Sequence, residues 1–281
     1  MKIAALADIH GNYQALITVL EHVESWNPDL VLVLGDTINR GPRSKECLHL
    51  IQQKQVEESW LVIKGNHEDY VLEFDHPEAP KSGPRFEMMK IIYWTYQDLT
   101  PGDIAAVKEL PEEINLILPG GEKLTGVHAS LGGMRVGIYP DHDQEDLQSL
   151  IEPSADLFLV GHTHQPLVRK VGKTLVINAG SIGLPFDGDT RTGYAQLVQE
   201  NGEWQARILR FDYDIDAARE DLYNTSFIPD GGPLANLVQT ELEIAWPQLS
   251  YWFKRYEYLV MEGKIGIDNA VQEFLKNPHR E

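Results

Sequence analysis

Three short apolar runs in the first seventy residues each end on a polar cluster punctuated by glycine, and this pattern constrains the fold more tightly than any other feature. Residues 2–7 run into Asp8-Ile9-His10-Gly11, residues 30–34 into Gly35-Asp36, and residues 61–63 lead through Lys64 into Gly65-Asn66-His67-Glu68. Short continuous apolar runs bounded by glycine predict strands buried on both faces. Between the first two, Leu16, Ile17, Leu20 and Val23 recur at helical spacing behind Asn12, a residue type suited to cap a helix N-terminus. Strand, helix, strand is the implied unit.

The segment 75–111 differs in texture. Pro77, Pro80, Pro84 and Pro101 break it, and helical stretches are predicted over 88–96 and 103–110, so it reads as an insertion overhanging a site. Strands are predicted again over 115–118, 123–127, 157–160, 174–177, 194–198 and 204–211, separated by turn signals such as Gly120-Gly121, Gly172-Lys173 and Asn201-Gly202. A second, more antiparallel sheet is expected from them. Beyond Asp212 the pattern is helical: 215–222, a Pro/Gly break at 229–233, then a long stretch over 234–274 that Pro247 divides. Trp246, Leu249, Trp252, Phe253, Tyr256 and Val260 recur there at roughly helical intervals, a stripe that reads as core or interface. The chain is expected to divide into residues 1–212 and a helical C-terminal extension, 213–281.

Composition narrows the function. With 24 Lys plus Arg against 43 Asp plus Glu, the formal charge is −19, which argues against an extended nucleic-acid surface or binding to an anionic membrane. A small phosphorylated substrate remains compatible, because bound divalent cations supply strong local positive charge. Cys47 is the only cysteine, so no intramolecular disulfide exists and nothing points to an oxidising compartment. The apolar stretch at residues 3–6 is too short for a signal-peptide core, and no run approaches the roughly 20 apolar residues that cross a bilayer. The expectation is a soluble, cytoplasmic protein.

Five blocks carry residue types that ligate metals: Asp8/His10, Asp36, Asn66-His67, His128 and Gly161-His162-Thr163-His164. Each lies at or just beyond a predicted strand end, where ligands bind in open α/β sheets. On extended backbone the i, i+2 spacing of Asp8/His10 and His162/His164 places both side chains on one face. Mixed imidazole, carboxylate and amide donors suit Mn, Fe, Co, Ni or Zn better than Mg or Ca. Seven such candidates exceed one tetrahedral site. Two metals about 3.5 to 4 Å apart, bridged by one carboxylate, would use them and would serve in-line displacement at phosphorus. Any one block has an ordinary structural reading as a cap, turn or core histidine; the five together in this order do not.

Those blocks resemble the ordered pattern Asp-x-His, Gly-Asp, Gly-Asn-His-Glu/Asp, His and Gly-His-x-His of the calcineurin-like metallophosphoesterase superfamily, over roughly residues 1–212. The resemblance implies a four-layer αββα sandwich, two central mixed sheets flanked by helices. It assigns Asp8, His10 and His164 to a first metal, Asn66, His128 and His162 to a second, and Asp36 to the bridge, with two divalent ions such as Mn as cofactors. A hydroxide shared by the metals would attack phosphorus in a small phosphodiester or phosphomonoester. His67 would stand near the leaving group as general acid, and Arg40 would clamp a phosphate oxygen. The Arg40-Gly41 and 65–68 blocks are similar to those of serine/threonine protein phosphatases and dinucleoside polyphosphate hydrolases, which makes those substrates the alternative. Protein phosphatases, however, carry Asp where this chain has Asn39, and lack the block supplying His164. That block, with Asn178-Ala179-Gly180-Ser181-Ile182-Gly183 and Asp187-Gly188-Asp189, resembles the bacterial and archaeal phosphodiesterase branch, which usually has Pro at the position of Ala179. Some proteins of this fold have lost ligands and act as protein-binding scaffolds; here no ligand is missing. The aromatic C-terminal helices offer a surface for self-association.

Overall fold

Alternation of strand and helix at the start of the chain produces a parallel core. In the computed structural model, which describes residues 1–280, β1 (Lys2–Leu6), α1 (Tyr13–Trp26), β2 (Leu30–Val33), α2 (Ser44–Glu58) and β3 (Leu61–Val62) follow in order. Then come α3 (Asn66–Leu72), α4 (Gly83–Met88), α5 (Lys90–Asp98), α6 (Pro101–Lys108), β4 (Glu113–Ile117), β5 (Lys123–Val127), α7 (Gln144–Leu150) and β6 (Leu157–Val160). β7 (Leu167–Val171), β8 (Thr174–Asn178), β9 (Thr192–Glu200) and β10 (Glu203–Phe211) complete the sheets. The C-terminal helices are α8 (Ile215–Asn224), α9 (Phe227–Asp230), α10 (Ala235–Ile244), α11 (Leu249–Met261) and α12 (Ile267–Leu275). Asn12 caps α1 as its position suggests, its side chain accepting from the Ala15 N–H at 3.1 Å.

Two five-stranded sheets result, ordered β10-β9-β1-β2-β3 and β4-β5-β6-β8-β7. β1 lies parallel to β2, Ile3 opposite Leu30, and antiparallel to β9, Lys2 opposite Val198. In the second sheet β5, β6 and β8 run parallel, and β4 and β7 are antiparallel edges. The period of two along β1 sorts its side chains: Ile3 and Ala5 pack with Leu124, Leu157, Leu159 and Ile177 between the sheets, while Ala4 and Leu6 pack with Leu16 and Val19 of α1. Phe158, Val160 and Val176 face α7 on the far side. The layers are therefore helix, sheet, sheet, helix, the four-layer sandwich.

The structure corrects the sheet membership expected from sequence. β9 and β10 belong to the first sheet, with β9 covered on both faces between β10 and β1. The second sheet is mixed, with two parallel pairs at its centre. Alternation in a strand reports which face is buried but not which strand lies alongside it. β7 escaped the sequence reading because its central residues, Val168, Arg169 and Lys170, are those of a solvated edge. The stretch 234–274 breaks twice, at Pro247 and again around Gly263, giving α10, α11 and α12.

The C-terminal helices pack on the 75–111 segment. Trp252, Tyr256 and Val260 are buried with Phe227, Leu237 and Val238, against Met88 and Ile91 and beside Leu184 and Phe186. This face of the aromatic stripe is core, each such side chain stabilising the packing by about 1.5–3 kcal/mol.

Candidate metal centre

The loops leaving the C-terminal ends of β1, β2, β3, β5 and β6 meet at one edge of the two sheets and carry Asp8/His10, Asp36, Asn66/His67, His128 and His162/His164. Their backbone is not extended, contrary to the i, i+2 reading. Asp8 (φ 53°), His10 (49°), Asp36 (54°), His162 (70°) and His164 (57°) are left-handed, as are Asn39 (70°) and Arg40 (67°). Asp, Asn and His enter this region at lower cost than other non-glycine residues because their short polar side chains bond locally. Backbone bonds between loops hold them there: Asp8 N–H to Gly35 O at 3.2 Å, His10 N–H to Asp36 O at 2.9 Å and Gly11 N–H to Thr37 O at 3.1 Å. A Cβ at Gly161 would lie 2.6 Å from Asp8 Oδ2, so only glycine lets that loop approach the carboxylate.

All seven metal-ligand candidates come together, in two clusters that share Asp36. In one, His10 Nε2 and His164 Nε2 lie 3.0 Å apart, and Asp8 Oδ1 stands 3.8 and 3.3 Å from them. In the other, Asn66 Oδ1 lies 2.9 Å from His128 Nε2 and 2.8 Å from His162 Nδ1. Asp36 Oδ2 is 3.6 Å from His10 Nε2 and 3.3 Å from His128 Nε2.

These donors fit divalent cations. His10 Nδ1 donates to Asn39 O at 3.3 Å and His164 Nδ1 donates to Leu184 O. A carbonyl can only accept, so in each neutral ring the Nε2 aimed at the site carries a lone pair. The two facing nitrogens of the first cluster therefore have no proton to share, and Asp8 Oδ1 is buried with no hydrogen-bond partner among the described residues. Three electron-pair donors converging in this way are relieved by a cation. Burial, then the neighbouring His67, hold the His10 imidazole well below its usual range. In the second cluster His128 Nδ1 donates to Leu34 O at 2.7 Å, and although burial opposes it, the Asp36 carboxylate pushes the His128 ring up to about 10. Asp36 itself, despite burial, is held well below the usual carboxylate range by His128 and His67. Asp36 is thus a point where the fold favours positive charge. His162 is brought down to about 4 by burial and by His128.

His67 and Arg40 border this centre. The His67 N–H donates to Asp36 Oδ1 at 2.8 Å and its ring packs edge-on to His10, with burial bringing it down to about 3. Asn39 Oδ1 accepts from the Arg40 N–H at 2.8 Å, so the Asn39 Nδ2 group faces His67 Nδ1, 2.9 Å away. The buried Arg40 guanidinium lies 3.6 Å from Glu241 Oε1 and 5.5 Å from the centre of the Phe186 ring, which stacks on His164 at 4.3 Å.

Two further side chains, Glu68 and Asn178, hold the loops of the candidate ligands, and the sequence reading gave them no role. Glu68 Oε2 accepts from the Asp36 and Gly65 N–H groups at 2.9 and 2.8 Å, and its Oε1 from Thr37 and Ile38 at 2.7 and 3.1 Å, clamping two ligand loops together. Burial, then the Asp36 charge, raise its carboxyl to about 7. Its bond to the Gly65 N–H is the glutamate half of a capping box, but glycine has no side chain to supply the other half, so the usual sequence signature is missing. Asn178 Nδ2 donates to Gly161 O at 2.9 Å and Thr163 Oγ1 at 2.8 Å, which sets the His162/His164 loop. The next residue, Ala179, donates its N–H to Val160 O at 2.9 Å, a bond proline cannot make. Glu241, on α10, carries no local signature linking it to Arg40.

The centre opens into a cleft of about 840 Å³ whose walls include Arg85, Met88 and Ile92 of α4 and α5, Arg135 and Tyr139 of the loop after β5, and Tyr251, Phe253 and Lys254 of α11. The C-terminal helices therefore reach the site, which the sequence reading did not anticipate.

A four-layer α/β sandwich with clustered imidazole and carboxylate donors at the strand ends defines a metal-dependent hydrolase class. The chain belongs to the calcineurin-like phosphoesterase superfamily, whose domain model matches residues 1–202, and it is a metal-dependent phosphoesterase. Among its relatives, an uncharacterized protein of Methanocaldococcus jannaschii, MJ0912, is 26% identical over 237 residues, 78% of this chain and 91% of that one. A shorter match, 44% identical over 71 residues, links 24% of this chain to 30% of serine/threonine-protein phosphatase 2 of Escherichia coli. Of solved structures, the hypothetical protein PH1004 of Pyrococcus horikoshii OT3 shares the fold with a TM-score of 0.72 at 20% identity, covering 88% of this chain and 98% of that one. A metallophosphoesterase of Sphaerobacter thermophilus does so with 0.65 at 24%, over 87% and 100%.

Proposed function

We propose that the chain hydrolyses small phosphodiesters or phosphomonoesters with two divalent ions, manganese being the preferred pair, held by Asp8, His10 and His164 on one side, Asn66, His128 and His162 on the other, and Asp36 between them. The observation that carries the reading is Asp36 Oδ2, which stands within 3.6 Å of one donor from each cluster. When bound, such cations stabilise charge on phosphoryl oxygens and make water acidic enough to serve as nucleophile near neutral pH. Arg40, its planar fork held by Glu241, binds a non-bridging phosphate oxygen. His67, at the border of the centre, lies where a leaving group departs and donates a hydrogen bond to it. The walls supplied by α4, α5 and α11 admit a small molecule and shield it from water.

The alternative substrate, a phosphoprotein or a dinucleoside polyphosphate, draws on the short match to the Escherichia coli protein phosphatase and on a 29% match over 132 residues to a symmetrical bis(5′-nucleosyl)-tetraphosphatase of Pseudomonas putida. Walls on three sides of the cleft favour the smaller substrate. A scaffold without catalysis is disfavoured by the complete donor set.

A manganese-supplemented panel of a phosphodiester, a phosphomonoester, a dinucleoside polyphosphate and a phosphopeptide tests this, with turnover of one of the first two expected to dominate. Asp36→Asn is expected to lower that turnover by more than about 100-fold and to reduce bound metal measured by elemental analysis. An Asp36→Asn protein with full turnover would sink the two-metal assignment.

A further inference from the structure

Three of the cations lining the cleft stand over aromatic rings. The Arg135 guanidinium lies 4.7 Å from the centre of the Tyr70 ring, Lys254 Nζ 4.9 Å from that of Tyr251, and Arg40 5.5 Å from that of Phe186. Two of the four lining cations have a carboxylate nearby and two have none. Glu73 is 3.9 Å from Arg135 and Glu241 is 3.6 Å from Arg40, while Lys254 and Arg85, a fourth lining cation, have none within 4.0 Å among the described residues. Cations over rings also occur outside the cleft, at Lys2, Lys54, Arg255 and Lys264, but Lys54 and Arg255 there have carboxylates at 2.5 and 3.6 Å.

The ring contacts inside the cleft have a chemical meaning. A ring face attracts a cation and fixes its position without cancelling its charge or occupying its N–H donors. A carboxylate does both. In a chain of formal charge −19, four cations line this one cleft, and those without a close carboxylate, Arg85 and Lys254, keep their charge available to a ligand. Arg40 is committed to the scissile phosphate by its place beside the ligand loops. Arg85, Arg135 and Lys254 come from α4, the loop after β5 and α11, and none of them is assigned to the phosphate at the metal centre.

We infer that Arg85, Arg135 and Lys254 form a second anion site, and that the substrate is a phosphoester carrying another phosphate besides the one hydrolysed. This rests on the phosphoesterase reading above and deepens it by naming the substrate class.

Two matched pairs isolate the second phosphate: adenosine 3′,5′-bisphosphate against adenosine 5′-monophosphate, and fructose 1,6-bisphosphate against fructose 6-phosphate. The metal-loaded enzyme is expected to favour the bisphosphate in both pairs by about 10-fold in kcat/KM, the value of one good charge-assisted contact. Arg135→Glu and Lys254→Glu, both at exposed positions, are expected to bring that ratio close to one, and Arg85→Gln to lower it part of the way. A ratio near one in the unmodified enzyme overturns the inference, as does a preference that none of these variants moves. A preference confined to the adenosine pair also overturns it, because it would report the ring.

Calorimetric binding of the same four compounds to the full chain without added metal gives a readout independent of turnover. Bisphosphates binding about 10-fold more tightly, and weakening with added salt, support the anion site even if no phosphoester is turned over, in which case it is the hydrolase reading that fails. Equal binding within each pair overturns the site while leaving the hydrolase reading intact.

Discussion

Asn39 determines what His67 can do. Because Asn39 Oδ1 is engaged by the Arg40 N–H, its amide group donates to His67 Nδ1, and the proton of the neutral ring resides on Nε2. In the proposed reaction His67 therefore meets a leaving group as a neutral hydrogen-bond donor and not as an imidazolium. Asn39→Asp replaces that donor by a carboxylate, which favours the doubly protonated ring, with Nδ1–H bonded to Asp and Nε2–H toward the leaving group, a stronger acid than the neutral ring. The expected outcome is a rise of about 10-fold in kcat/KM for alkyl esters relative to p-nitrophenyl esters, since general-acid assistance matters most for poor leaving groups. His67→Asn is expected to shift the same ratio the other way. Equal effects on both ester types would reject His67 as the group at the leaving oxygen. Arg40, too, holds a conformation that sequence does not announce: φ of 67° costs an arginine about 1–2 kcal/mol, and the fold retains it to aim the guanidinium.

The aiming is done by an element far away in sequence. Glu241 on α10 is fully buried, and its Oε1 accepts from the N–H groups of Gln248 and Leu249 at 2.8 and 2.9 Å while standing 3.6 Å from Arg40. One carboxylate thus caps the start of α11 and positions the proposed phosphate clamp. Glu241→Gln keeps the acceptor and removes the charge, so the helices should remain while Arg40 loses its orientation. KM for a phosphomonoester is expected to rise by about 3- to 10-fold, and in a double-mutant cycle Arg40→Ala should cost about 0.5 kcal/mol or more less in the Glu241→Gln background than alone. Strict additivity would show that the two residues act separately. None of this was legible from the chain, because Arg40 and Glu241 are joined only by packing. The ligand blocks were legible because each is a short string at the end of an apolar run, as with Gly35-Asp36 after β2. β1, β5 and β6 could be placed for the same reason. The pairing of β9 with β1 could not, since the partners are separated by most of the chain. Nor could the left-handed backbone of Asp8 and His164, which is imposed by neighbouring loops.

Across the whole molecule, the candidate ligand set spans both sheets. Asp8, His10, Asp36 and Asn66 follow strands of the first, whereas His128, His162 and His164 follow strands of the second. Cations bound between them would tie the sheets together at the edge where strained loops meet, adding to the apolar contact of Ile3, Leu32, Leu124 and Leu159 that joins the sheets behind it. A ligand that binds only the folded state stabilises by mass action, by about 2.7 kcal/mol per site at a concentration 100 times its Kd. For a chain of 281 residues that corresponds to a rise in Tm of roughly 5 °C per metal, from the usual scaling of unfolding entropy with length. Manganese is therefore expected to raise the Tm of the full chain by about 5–10 °C in scanning calorimetry, and a chelator to reverse it. The control is internal to the site: Asp36→Asn removes the shared carboxylate and should abolish most of that shift, whereas Trp252→Ala, which opens a cavity among the C-terminal helices, should lower Tm with and without metal alike. A Tm insensitive to manganese, or a shift that survives Asp36→Asn, would mean that the two sheets are not joined through this centre.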